Sequence, residues 1–117
     1  MQFKFENIVI WKQAMEFGEQ IYQIVKKFPK EEMYNLSSQI LRASDSIALN
    51  IAEGSIGQSN NEFKKFIVYS IRSLAEVITC LYKAKNRCYI LEDEFQDLYE
   101  FSYKQMNMMV AFKNNLK

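Results

Sequence analysis

SIALNIAEGSIGQSNNEF, residues 46–63, holds the end of one helix and the start of the next. Ile47 and Ile51 stand one helical turn apart, and Gly54 follows where a left-handed cap residue would stop a helix. A few residues on, Ser59-Asn60-Asn61-Glu62 has the form of a capping box. In that motif the Ser59 side chain accepts from the Glu62 amide while the Glu62 carboxylate accepts from the Ser59 amide. A chain that passes from helix to helix in so few residues is building a helical bundle.

Working outward, the same periodicity recurs in every segment. The second helix opens among Lys30, Glu31 and Glu32, and Met33, Leu36, Ile40, Ala43, Ile47 and Ile51 trace its buried stripe. Upstream, a first helix is predicted from an Asn7 cap to Phe28, where Pro29 ends it, with Ile10, Ala14, Phe17, Ile21 and Ile24 facing inward. Downstream, Phe63, Phe66, Ser70, Leu74, Val77, Leu81 and Ala84 carry a third helix to about Arg87. A fourth is predicted from Asp93 to Asn115, with Phe95, Leu98, Met106, Met109, Phe112 and Leu116 inside. Three glycines and one proline supply too few turns for a strand-rich fold. The expectation is all-α: one domain, residues 1–117, folded as an antiparallel up-down-up-down four-helix bundle.

Composition removes several function classes. The chain has no histidine, hence no common general base, no nucleophile–histidine pair and no common metal ligand. Gly54 and Gly57 fit neither phosphate-loop spacing. No enzyme, metal or cofactor is therefore expected. No apolar run approaches a membrane span, and the N-terminus lacks the pattern of a leader peptide. Cys80 and Cys88 lie too far apart along a helix to bridge, so reduced thiols and a cytoplasmic setting are expected.

Two polar residues break the apolar pattern of the second helix. Asn50 falls on its inward edge, and Glu53 stands in the last turn, where the helix dipole disfavours an acid. A polar clamp would offset both: Asn50 bonding a neighbouring helix or the backbone, Glu53 bonding the loop after Gly54, and Ser59 with Glu62 closing the far side. Beside the core stripe runs a second line, Leu41, Ala48 and Ala52, with Leu49 further round. That line is a candidate contact with another copy of the chain, or the working surface of a protein–protein adaptor.

The net charge of +1 hides a segregation. Lys64, Lys65, Arg72, Lys83, Lys85 and Arg87 face only Glu62 and Glu76 in residues 59–89, whereas acids outnumber bases in residues 90–117. Lys65, Arg72, Lys83 and Arg87 fall within roughly forty degrees of one line on the third helix, opposite its core stripe. Those four are the candidate contacts to RNA or DNA backbone.

QILRASDSIALNIAEGSIGQSNNEFKKFIVYSIRSLAEV, residues 39–77, resembles a bacterial family of four-helix bundle proteins. They are encoded in intervening sequences of large-subunit ribosomal RNA genes and are related to the accessory variability determinant proteins of retroelements. Gln39, Arg42, Ser46, Asn50, Glu53, Gly54, Ser59, Glu62, Ser73 and Glu76 carry the likeness, with Trp11, Tyr22 and Pro29 upstream. The resemblance implies a homo-oligomeric ring, a pentamer, without catalysis, and it raises nucleic-acid binding as a role. One departure weakens that role at a single place: SIGQSNN, the loop after Glu53-Gly54, is uncharged where relatives often carry Arg or Lys.

Overall fold

The computed structural model describes all 117 residues. Four helices account for most of them: α1 (Val9–Val25), α2 (Leu36–Ser55), α3 (Asn60–Asn86) and α4 (Glu92–Asn115). Short 3-10 turns, Lys4–Asn7 and Lys30–Glu32, precede α1 and α2. There is no strand, and the body measures 43 × 25 × 24 Å.

Each helix packs on its neighbours in the chain, and α1 closes the circuit against α4. The diagonals α1–α3 and α2–α4 make no close backbone approach. Neighbours run in opposite senses. Gly54, near the end of α2, meets Phe63 and Phe66 at the start of α3, while Glu32, just before α2, meets Arg87 at the end of α3. Phe63 packs edge-on against Phe112, ring centres 5.4 Å apart, and Tyr82 against Phe95 at 4.8 Å, which orders α3 and α4 in the same way.

The periodic apolar positions converge on one core of 23 buried residues, including Phe17, Ile21, Ile40, Ile47, Ile67, Leu74, Leu81 and Met109. The predicted stripes of the first three helices lie in or against it except at Met33 and Phe66. Phe66 is only half-buried, and Ile67, one position on, takes the core place. Met33 is half exposed, because the 3-10 turn at Lys30–Glu32 delays the helix to Leu36 and turns Met33 outward. Asn7 belongs to the first 3-10 turn, so α1 begins after Ile8 and not at an Asn7 cap. In α4 the buried positions are Phe95, Leu98, Ser102, Gln105 and Met109. Two polar residues thus occupy the centre of a stripe predicted to be apolar, and Met106 stands half out of it.

Gly54 differs from its predicted role. No glycine in the molecule has a positive φ, and α2 continues through Gly54 to Ser55. A Cβ at Gly54 would stand 2.6 Å from Phe66 Cβ and 2.9 Å from Phe63 Cδ1. The glycine is there to let α3 come close, not to stop the helix. Nearby, the Ser70 hydroxyl donates to the Ile47 carbonyl at 2.8 Å, and the Ser46 and Ser73 hydroxyls meet at 2.5 Å. Small side chains therefore hold α2 and α3 in the tightest seam of the bundle.

The left-handed residue instead lies at the end of α3. Cys88 has φ 63°, the Tyr89 amide donates to the Ala84 carbonyl at 2.9 Å, and the Cys88 amide donates to the Lys85 carbonyl at 3.0 Å. That pairing is a Schellman motif.

Gly54→Ala should lower stability by about 1–3 kcal/mol, because Phe63 and Phe66 would have to retreat. The expected reading is a lower urea midpoint with an unchanged denaturant slope.

Candidate functional site

Of the polar clamp predicted around Asn50 and Glu53, the Asn50 part forms and the Glu53 part does not. Asn50 is half-buried and its Nδ2 donates to the Ser46 carbonyl of its own helix at 2.8 Å. Glu53 is exposed and makes neither a hydrogen bond nor an ion pair, so water satisfies its charge. Half of the capping box is present. Ser59 Oγ accepts from the Glu62 amide at 3.1 Å, and the Glu62 carboxylate folds over Gly57 instead of returning to the Ser59 amide.

The clamp the molecule does have joins the start of α2 to the end of α3. Glu32 is 7% exposed and serves four donors. Its Oε2 accepts from the Tyr89 hydroxyl at 2.7 Å and from Arg87 Nη1 at 2.9 Å. Its Oε1 accepts from Asn35 Nδ2 at 3.0 Å and from the Leu36 amide at 3.4 Å. The Tyr89 hydroxyl chiefly, aided by the Leu36 amide, Asn35 and Arg87, holds the Glu32 carboxyl below the usual carboxylate range against the opposing effect of burial. The same hydrogen bond pushes the Tyr89 hydroxyl up. A second carboxylate does similar work on α4: Glu94 accepts from the Leu91 amide at 2.8 Å and pairs with Lys27 beyond α1. Its carboxyl is also held low, first by the Leu91 amide and then by Lys27. Lys85 pairs with Glu92 at 3.2 Å. All three ion pairs thus gather at the end of the bundle where α1 passes to α2 and α3 to α4.

That arrangement divides the predicted basic line. Arg87 is committed to Glu32, so it is a structural residue and not an open phosphate contact. Lys65, Arg72 and Lys83 are exposed on the outer face of α3 and take part in no ion pair. At 1.5 Å of rise per residue they are about 10 Å and about 16 Å apart along the helix. Glu76 lies beside Arg72 without bonding it. The Glu32–Tyr89 pairing had no local signal, since the two are 57 residues apart in sequence. A carboxylate at a helix start and a tyrosine just past a helix end are its only traces.

The predicted contact line on α2 is also divided. Leu41 is half-buried and packs against the core, Ala48 is buried, Ala52 is half-buried and Leu49 is 65% exposed. Ala48, Leu49 and Ala52 line a groove between α1 and α2, and Leu41 does not reach it. The groove encloses about 490 Å³. No group of histidine, cysteine or acidic side chains is placed to hold a metal ion. No helix is long and apolar enough to cross a membrane. Burial pushes the Cys80 thiol up, and both cysteines are free.

The family described as 23S rRNA-intervening sequence protein matches residues 6–111. A crystal structure from Bacteroides thetaiotaomicron, of a protein with unknown function from the S23 ribosomal protein family, superposes with a TM-score of 0.83 at 22% identity. The match covers 90% of this chain and 98% of that one, and it shows a shared fold. No curated protein matches the chain.

Because the folded Glu32 carboxyl is held low, its contribution to stability is complete above the ordinary carboxylate range and is lost as pH falls through its folded value. Stability should therefore drop on acidification below the usual carboxylate range. Glu32→Gln should lower the urea midpoint at pH 7 and flatten that acid-side drop.

Proposed function

This chain belongs to the 23S rRNA-intervening sequence protein family, and from that premise we propose that it acts without catalysis, as an oligomeric bundle holding nucleic-acid backbone on α3. The observation that carries this reading is the division of cations. Arg87, Lys85 and Lys27 are neutralised by carboxylates at one end, while Lys65, Arg72 and Lys83 are left unpaired along one exposed side. Three cations neutralise few phosphates, so a single copy binds weakly and without regard to sequence. A ring of copies repeats the stripe and multiplies its hold through effective concentration. Tyr82 on α3 and Tyr103 and Val110 on α4 are exposed and offer apolar surface for such an assembly. Two unbridged cysteines fit a reducing compartment, the cytoplasm. The alternative, a protein adaptor with no nucleic-acid role, draws on the α1–α2 groove.

Binding to a structured RNA should fall with salt along a log–log slope of about −2 to −3 for each engaged copy. The Lys65→Ala/Arg72→Ala/Lys83→Ala variant should lose that binding while melting normally. Arg87→Ala should instead melt earlier and keep the salt slope. Full retention of binding by the triple variant would end the reading. Light scattering at micromolar concentration should give a mass several times the 13.9 kDa chain, and five times it for a pentamer; a monomer mass would remove the ring.

A further inference from the structure

The groove between α1 and α2 has a floor and a rim of different kinds. Ala14, Gly18, Ser44, Ala48 and Ala52 form the floor, small enough for a partner's backbone to lie close. Trp11, Met15 and Leu49 stand on its walls, with Met15 48% and Leu49 65% exposed. Phe5, in the 3-10 turn before α1, closes one end by packing on Trp11 at 5.2 Å. At the other end, beside the Gly18–Ser44 contact, stand Glu19 and Asp45. Both are exposed, and neither takes part in any of the molecule's ion pairs. From Trp11 to Gly18, and from Ser44 to Ala52, the trough is about 12 Å long, two turns of helix.

We propose that this groove docks a basic amphipathic helix of another protein. Two apolar side chains one turn apart would lie on the alanine floor between Trp11 and Leu49. A Lys or Arg about two turns from the Phe5–Trp11 end would meet Glu19 and Asp45. The two exposed acids at one end of an otherwise apolar trough argue for a cationic partner, and the small-residue floor between Trp11 and Leu49 suits the apolar face of a helix. The groove is separate from the outer face of α3, so its occupancy and nucleic-acid binding stand or fall independently.

Trp11 is the single tryptophan of the chain and reports directly on the groove. The probe is an 18-residue peptide helix with Leu and Ala on one face and Lys on the other, compared with the same peptide carrying Glu for Lys. The Lys peptide should shift Trp11 emission saturably to the blue, and the Glu peptide should bind at least tenfold more weakly. Glu19→Lys with Asp45→Lys, both at exposed positions, should reverse that preference with an unchanged melting temperature. Ala52→Phe, which fills the trough, should abolish both. Equal binding of the two peptides, no emission change with either, or an unreversed preference in the charge-swapped variant would overturn the proposal. So would Trp11 emission that reddens on dilution in step with loss of mass by sedimentation, because a second copy would then occupy the groove.

Discussion

Two helices approach closely only where their facing side chains are small, and the α2–α3 seam meets that condition along much of its length. At Gly54 the missing side chain admits Phe63 and Phe66. Further along, the hydroxyls of Ser46, Ser70 and Ser73 bond across or into the seam, so their polarity is satisfied where they are buried or half-buried. With α2 and α3 fixed at this distance, α1 lies on the open flank of α2 and α4 on the open flank of α3. The core is the volume that remains between them. The groove between α1 and α2 also follows, since α2 presents small residues to α1 as well and leaves the space there partly unfilled.

Charge then separates the ends of the bundle from its sides. Carboxylates at the starts of α2 and α4 draw Arg87, Lys85 and Lys27 into pairs at one end, and Glu32 and Glu94 also satisfy backbone amides there. The opposite end, with the uncharged loop after α2, is held by rings: Phe63 on Phe112, and Lys4 Nζ 5.7 Å over Phe63. What remains free along the flank of α3 is the short basic stripe on which the nucleic-acid reading rests.

The sequence was most readable where one rule repeats over many turns. The inward faces of the first three helices follow from spacing except at Met33 and at Phe66, where Ile67 takes the core position, and Ser59 follows as the cap of α3. Gly54 was misread because a glycine near a helix end satisfies two demands, a left-handed stop and a close approach, and spacing does not distinguish them. Arg87 belonged to the basic line by angle, but its partner lies 55 residues away, beyond any local pattern. Glu53 violated the dipole rule at too small a cost to require a partner, since an exposed acid remains solvated. On α4 the apolar residues are sparse, and a reading by apolarity selects Met106 where the structure buries Gln105, one position earlier.

Gln105 is fully buried with neither amide atom bonded, one turn along from Ser102, whose hydroxyl turns back to the Leu98 carbonyl at 2.7 Å. An unmet buried amide costs on the order of 1–3 kcal/mol, and this one lies midway along the helix with the thinnest apolar stripe. Cohesion is therefore uneven around the bundle: strongest across α2–α3, weakest where the last rod closes the circuit. The first sub-global opening expected of such a molecule is the release of α4 from the other three helices.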